Sequence, residues 1–154
     1  MYTSVLILCA AISPSIIQVA VAGCCPDGWI THKSRCYYVG YETKLTFSEA
    51  MVYCYNQAAQ LVRFESYGEY SFLRNLLKKT QASSAWIGLS DRKHEGIWQW
   101  VGSNGHATFS DWGPGEPNNL RNNEDCVGFF AEEDYKWNDF PCTNKLKPVC
   151  EKSS

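Results

Sequence analysis

The chain has 154 residues and a formal net charge of -2 at pH 7. Its 14 Lys and Arg residues are scattered and form no basic stripe, which argues against a nucleic acid as partner. The length suits one domain with a hydrophobic core behind a short leader, and no repeat or linker divides it.

The first 22 residues have the pattern of a secretory signal peptide. They carry no charged side chain and end in the small-residue run A-V-A at 20–22, a typical cleavage site. A membrane anchor is the alternative, but Pro14 interrupts the apolar run, which is shorter than the roughly 20 residues that a span needs. We therefore expect a signal peptide over 1–22, a mature domain over 23–154, secretion to the extracellular space and no membrane insertion.

Seven cysteines remain in the predicted mature chain. They are Cys24, Cys25, Cys36, Cys54, Cys126, Cys142 and Cys150. Export makes disulfides their default use. A zinc site would need Cys and His at close spacing, and His32, His94 and His106 are isolated from one another and from the cysteines. Because seven is odd, at least one thiol is free or pairs outside the chain.

The mature chain begins with a predicted β-hairpin. Aromatic and β-branched residues are concentrated at 28–30 and again at 36–39, which favours two short strands. Cys25 and Cys36 could bridge across this hairpin.

Two helices are predicted next. Thr46 and Glu49 form a capping box, and the apolar spacing after it indicates a helix that runs to about Ala58. Ser66 and Glu69 repeat the box before a second amphipathic helix, whose last turn carries two lysines. The apolar stripes of both helices are expected to pack in the core.

After residue 80 the pattern changes to short strand-like runs separated by Gly, Asn, Asp and Pro. The runs lie at 86–89, 98–100, 126–130, 135–137 and 148–150. The segment 103–125 is dense in Gly, Asn and Pro, and long loops of this kind in a compact domain are usually functional. Helices followed by antiparallel strands indicate the α+β class.

Oxygen-bearing side chains are concentrated in and just after this long loop. They are Glu116, Asn118, Asn119, Glu124, Asp125, Asn138 and Asp139. Carboxylates among carboxamides, with no thiolate or imidazole, are the ligands that Ca²⁺ prefers. A solvated acidic loop is the alternative that composition alone leaves open.

Four motifs resemble the C-type lectin-like domain. They are WIGL at 86–89, EPN at 116–118, EDC at 124–126 and WND at 137–139. In this order, with the cysteines at the expected places, they are highly specific, and the resemblance covers the chain from residue 25 to residue 151. It implies a double-loop α+β fold with a cis bond before the EPN proline. The implied disulfides are Cys25–Cys36, Cys54–Cys150 and Cys126–Cys142, and they leave Cys24 over as a possible bridge between two chains.

The resemblance also implies calcium. The implied ligands of the primary ion are Glu116, Asn118, Glu124, Asn138 and Asp139. An auxiliary ion would use Asp91, Glu95, Asn119, Glu124 and Asp125. Because Asn119 stands where many members have a carboxylate, the auxiliary site has one negative charge fewer than is usual.

The implied function is that of a lectin. Glu116, Asn118, Glu124 and Asn138 would bind two adjacent sugar hydroxyls on the primary ion. The EPN order implies mannose, fucose, glucose or N-acetylglucosamine, presented by microbial surfaces in a family-level interpretation. Nearby aromatic residues could reorient the sugar; the candidates are Phe129, Phe130 and Tyr135.

Two other classes remain as alternatives to the lectin. The same fold could serve as an extracellular structural or biomineral-associated matrix protein, or could bind a protein surface without calcium. An enzyme is not expected, because no catalytic motif is present and His94-Glu95 lacks the second histidine of a zinc protease.

Overall fold

The computed structural model describes residues 25–103 and 105–154. The predicted signal peptide and Cys24 lie outside the described residues. The elements in chain order are β1 Ile30–His32, β2 Arg35–Val39, α1 Phe47–Tyr55, β3 Gln60–Leu61, α2 Tyr67–Lys79, β4 Ala85–Ser90, β5 Gln99–Trp100, β6 Cys126–Phe130, β7 Lys136–Phe140 and β8 Lys147–Ser153. None of the helices in these ranges is long and apolar enough to cross a membrane.

The strands form one sheet with the order β1-β2-β8-β4-β6-β7, with β3 paired to β8 and β5 paired to β4. The predicted α+β class is confirmed. The described strand pairs are antiparallel except β4 and β8, which run parallel where Ala85 faces Lys147. This parallel pair was not predicted. Strand β8 lies between β2 and β4 in the sheet. Its antiparallel pairing with β2 sets its direction, and in that direction it runs parallel to β4.

The predicted capping box of α1 is present. The Glu49 N–H donates to Thr46 Oγ1 at 3.3 Å, and the Thr46 N–H donates to Glu49 Oε2 at 2.9 Å. The helix ends at Tyr55, three residues earlier than predicted, and Ala58 then adopts a left-handed backbone with φ of 51°. The chain therefore turns away from the helix axis before the predicted end.

The second predicted box is only half formed. The Glu69 N–H donates to Ser66 Oγ at 3.3 Å, so Ser66 is the N-cap of α2. The Glu69 carboxylate does not return to Ser66. It accepts from the Glu65 N–H at 2.9 Å and from the Tyr37 hydroxyl of β2. Tertiary contact with β2 therefore replaces the local bond that the sequence predicts.

Two hydrophobic clusters and three disulfides hold the sheet and helices together. The larger cluster lies under α2 and includes Leu73, Phe129 and Trp137, and the smaller one lies under α1 and includes Phe47 and Trp86. The disulfides are Cys25–Cys36, Cys54–Cys150 and Cys126–Cys142. These are the pairs that the family resemblance implies.

Gly88 in β4 marks a close approach to the segment around β3. A Cβ atom there would lie 2.9 Å from the Leu61 carbonyl oxygen and 3.2 Å from that of Val62. We expect Gly88→Ala to lower the free energy of unfolding by about 1–3 kcal/mol, because backbone must move to admit the methyl group. Denaturant unfolding with the disulfides intact measures this change.

The matched control for this substitution is Gly68→Ala in the first turn of α2. A Cβ at Gly68 meets its nearest atoms at 3.9 Å, which is ordinary contact. Alanine in a helix should therefore raise stability by about 0.5–1 kcal/mol. Equal effects of the two substitutions would contradict the role of the close approach at Gly88.

Candidate functional site

The loop 103–125 is attached to strand β7 through its residues 112 and 113. Asn138 and Asp139 lie in the middle of β7, and both side chains are buried. The Gly113 N–H donates to the Trp137 carbonyl oxygen at 2.8 Å, and Trp112 forms a bridge with Trp137. The loop residues that follow are therefore held over the polar pair in β7.

Asp139 joins the EPN segment to β7. The bond between Glu116 and Pro117 is cis. After it, the Asn118 N–H donates to Asp139 Oδ1 at 3.2 Å and the Asn119 N–H donates to Asp139 Oδ2 at 2.8 Å. The Asn118 side chain also donates to Glu116 Oε1 at 2.8 Å. One fully buried carboxylate thus positions the backbone of two successive loop residues.

Glu124 closes the other side of the loop. Its Oε2 accepts from the Leu120 N–H at 2.8 Å, and its N–H donates to Asn119 Oδ1 at 3.1 Å. The pKa of Glu124 is raised, first by burial and then by the negative charge of Asp139, although the bond from Leu120 opposes this. Glu124 therefore belongs to the same electrostatic environment as the β7 residues.

Glu116 lies next to the buried carboxylate of Asp139. Glu116 Oε2 is buried and has no hydrogen-bond partner. Its pKa rises to about 7, first through burial and then through the adjacent Asp139 carboxylate. Two neighbouring carboxylates in a partly buried place favour a shared proton or a cation between them. The donor chemistry, oxygen atoms only, fits a hard divalent cation.

The predicted primary ligands are joined in pairs rather than gathered around one point. Within 25–103 and 105–154, no group of three or more His, Cys, Asp or Glu side chains forms a metal-type cluster. Glu116 contacts Asp139, and Asp139 acts on Glu124. Asn138 donates to the Asp139 carbonyl oxygen at 2.5 Å. The five residues are therefore neighbours in one loop-and-strand region.

The residues predicted for the auxiliary ion lie beside this region. Asp91 is 2% exposed and its Oδ1 has no hydrogen-bond partner. Burial raises the pKa of Asp91, as do Glu95 and Asp125 nearby. The Asn119 side chain donates to Glu95 Oε1 at 2.6 Å. The Asn119 amide thus gives Glu95 a hydrogen-bond donor. A carboxylate at position 119 could not donate to Glu95, and the two negative charges would need a cation between them.

The aromatic residues expected to reorient a sugar do not lie at this site. Phe129 is fully buried and stacks on Tyr70 in the core. Phe130 packs edge-on against Phe140, and the Tyr135 hydroxyl donates to a backbone oxygen of the core. The expectation was wrong, because each of these side chains is engaged by partners within the domain.

Glu133 is a neighbour of the site that sequence reasoning missed. Its charge contributes to raising the pKa of Glu116, and its Oε2 is buried without a partner. It lies against Gly113, where a Cβ atom would collide with the carboxylate. The acidic run at 132–134, just before the WND motif, was the signal that could have identified it.

Most of the chain matches a known protein family. The model of the Lectin C-type domain matches residues 43–152. The chain is a C-type lectin domain. It is 33% identical over 129 residues to a perlucin-like protein of Mytilus galloprovincialis, covering 82% of this chain and 81% of that protein. It is 39% identical to the CD209 antigen-like protein C of Mus musculus, covering 84% of this chain and 70% of that protein.

Solved structures that resemble this chain include a carbohydrate-recognition domain and an antifreeze protein. The cow carbohydrate-recognition domain of CD23, determined in the presence of a GlcNAc2Man3 oligosaccharide, is 34% identical with a TM-score of 0.74, over 85% of this chain and 97% of that one. A calcium-independent type II antifreeze protein is 29% identical with a TM-score of 0.74, over 84% and 95%. The family is one of carbohydrate-recognition domains and not of enzymes.

Proposed function

We propose that this lectin domain binds glycans with mannose-type sugars in a calcium-dependent manner. The observation that carries the proposal is the unpartnered carboxylate oxygen of Glu116, held against the buried Asp139. The residues that would hold the ion are Glu116, Asn118, Glu124, Asn138 and Asp139. Bound Ca²⁺ would supply coordination positions for two adjacent sugar hydroxyls.

The protein residues would orient the sugar by hydrogen bonds. Glu116 and Glu124 accept from hydroxyl protons, because a carboxylate is an acceptor only. Asn118 and Asn138 donate side-chain N–H groups to the hydroxyl oxygens. Acceptors and donors around one position select a particular orientation of two neighbouring hydroxyls. This is the basis for expecting discrimination among sugars.

The proposed preference for mannose-type sugars has two supports. The EPN order of acid and amide at 116–118 is the order that the family associates with mannose, fucose, glucose and N-acetylglucosamine. The CD23 domain, which shares this fold, was determined with an oligosaccharide of N-acetylglucosamine and mannose. We place this preference on the same residues here, with microbial surface glycans as the expected target class.

A second, weaker calcium site is proposed around Asp91. Asp91 Oδ1 is buried and unpartnered beside Glu95 and Asp125, which favours a cation. Asn119 already donates to Glu95 and brings no negative charge of its own. We therefore expect this site to bind calcium less tightly than the primary one.

The alternative function is calcium-independent binding to a protein or other surface instead of to a glycan. The observation in its favour is the likeness to an antifreeze protein that is itself described as calcium-independent. An extracellular matrix role belongs to the same alternative. The two functions differ in what a chelator does, so one experiment separates them.

The test is retention of the secreted protein on immobilised mannose in calcium, followed by elution with a chelator. We expect elution to be complete, and the free energy of unfolding in saturating calcium to exceed that of the chelated protein by about 2.7 kcal/mol at 100 times the dissociation constant. The disulfides and both helices should persist in the chelated protein. Retention on mannose that survives chelation would refute the metal-based site.

The N-terminal assignment is proposed separately. We propose that residues 1–22 are removed on export and that the mature protein begins at Gly23. Secretion from a eukaryotic host and N-terminal sequencing test this directly. A first residue other than Gly23 would correct the predicted boundary.

A further inference from the structure

A cleft lined by tryptophans lies beside the proposed calcium site. Its volume is about 410 Å³, within the range of roughly 300–1,000 Å³ that is typical of small-molecule sites. Residues 96–98 line it, and so do residues 106–110 and Trp112 of the long loop. The lining also includes Trp137 of β7, which is fully buried. This tryptophan cleft contains none of the five proposed calcium ligands.

Trp137 brings an unused hydrogen-bond donor to the cleft. Its indole Nε1 is buried and has no hydrogen-bond partner among the residues that the structure describes. An indole N–H can only donate, and a buried donor that stays unpaired destabilises the fold. An acceptor oxygen on a ligand in the cleft is the partner that this donor lacks.

Two partly buried tryptophans give the cleft flat apolar surfaces. The ring centres of Trp98 and Trp112 lie 5.0 Å apart, with the ring planes tilted by 57°. Trp112 also packs edge-on against Trp137, with 5.7 Å between the ring centres. These contacts hold the rings in place before a ligand arrives, so that packing a ligand on them costs little conformational entropy.

The polar part of the lining suits a neutral ligand. The polar side chains are those of His106, Thr108 and Ser110, which are exposed. Of the described lining residues, none is Asp, Glu, Lys or Arg. Glu95 and Asp111, which neighbour the lining in the chain, are bonded to side chains outside it. Flat apolar surfaces combined with hydroxyl groups match a neutral sugar ring, which has C–H groups on its faces and hydroxyls around its edge.

The tryptophan cleft adjoins the proposed calcium site through two segments of the chain. Gly96 of the lining follows Glu95, which accepts a hydrogen bond from the Asn119 side chain at 2.6 Å. Trp112 precedes Glu116 by four residues, so their Cα atoms are at most about 14 Å apart. A backbone hydrogen bond from the Glu116 N–H, 3.1 Å long, closes a turn in this segment and shortens that separation. A short oligosaccharide held at the calcium can therefore extend into the cleft.

We propose that the tryptophan cleft is a second subsite, which binds a neutral sugar ring adjacent to the sugar held at the calcium. The inference rests on the proposed lectin function for the position of the first sugar. It adds that the protein recognises an oligosaccharide and not only one terminal sugar. The faces of the second ring pack on Trp98 and Trp112, and one of its hydroxyl oxygens accepts from the Trp137 N–H.

The first experiment compares a linear α-linked mannotriose with methyl α-mannoside by isothermal titration at saturating calcium. The parent should bind the trisaccharide about tenfold more tightly, because a second ring adds aromatic packing and hydrogen bonds. Thr108→Tyr places a bulky ring in the cleft from an exposed position. We expect it to lower the ratio of trisaccharide to monosaccharide affinity to about one, because only the first sugar still finds a site.

The matched control is Thr143→Tyr, the same change at an exposed threonine between β7 and β8 that does not line the cleft. It should keep the parental ratio, and both tyrosine variants should keep the parental circular dichroism. A ratio that is the same in Thr108→Tyr and in the parent would overturn the second subsite. A parent that binds no methyl α-mannoside in calcium would contradict the proposed lectin function instead.

A second measurement on the parent tests the cleft independently of the calcium site. Nuclear magnetic resonance follows the indole N–H signals of Trp98, Trp112 and Trp137 while mannotriose is added, once in calcium and once with a chelator. We expect the three signals to shift in both conditions, with a higher sugar concentration needed in chelator, because the cleft itself requires no metal. Three signals that stay fixed in both conditions would overturn the cleft as a sugar site, whatever happens at the calcium.

Discussion

Asp139→Asn is expected to lower calcium affinity by about 10- to 100-fold and to lower sugar binding with it. Asp139 is fully buried and accepts the N–H groups of Asn118 and Asn119. An amide of the same shape accepts one of these bonds and presents its own N–H to the other donor. Hydrogen bonds to a charged group are worth about 1.5–3 kcal/mol, which corresponds to this range of affinity. The substitution also removes a proposed ligand charge next to Glu116.

Isothermal titration with calcium measures the first effect, and mannose binding at fixed calcium measures the second. The matched control is Asp134→Asn, because Asp134 is exposed and pairs with Arg74 and Lys78 instead. It should leave calcium affinity unchanged. Equal calcium affinities for Asp139→Asn and the parent would remove Asp139 from the proposed site.

Exchanging the acid and the amide around Pro117 should reverse the sugar preference. The double substitution Glu116→Gln with Asn118→Asp keeps one carboxylate and one amide, so total charge is conserved. The hydrogen bond between these two side chains, 2.8 Å long, would survive with donor and acceptor exchanged. We therefore expect calcium binding to persist while galactose gains over mannose.

The physical reason is the sense of the hydrogen bonds. Mannose offers equatorial 3- and 4-hydroxyls, whereas the 4-hydroxyl of galactose is axial, so their protons and lone pairs meet the site differently. A site built to bond a hydroxyl in one sense leaves a polar group unpaired in the other, which costs about 1–3 kcal/mol. The exchange moves the accepting side and the donating side of the site to each other's positions.

Competition by free mannose and free galactose against immobilised mannose, at saturating calcium, tests the reversal. The control Glu42→Gln with Asn144→Asp makes the same exchange at two exposed positions. It should keep the parental ranking. If the variant at 116 and 118 binds calcium and also keeps that ranking, selection must come from other neighbours such as Glu133.

The sequence by itself determined the features that depend on neighbouring residues or on side-chain chemistry. The capping box of Thr46 and Glu49 joins residues within one helical turn, so the spacing of the two residues was enough to predict both hydrogen bonds. The oxygen-rich residues of the EPN and WND motifs indicated a hard cation by their chemistry. The motifs and cysteines together indicated the family, and with it the fold and the disulfide pairs.

The tertiary structure decided everything that depends on contacts far apart in the chain. The Glu69 carboxylate bonds the Glu65 N–H and the Tyr37 hydroxyl, 32 residues earlier in the chain, instead of the Ser66 N–H that the local pattern predicts. Phe129 points into the core because the sheet buries the face on which it lies. Glu133 reaches the site only because the loop brings Gly113, which has no side chain, against it. A local sequence pattern predicts hydrogen bonds between residues that are close in the chain. The partners of Glu69, Phe129 and Glu133 are distant in the chain and depend on how the whole domain packs.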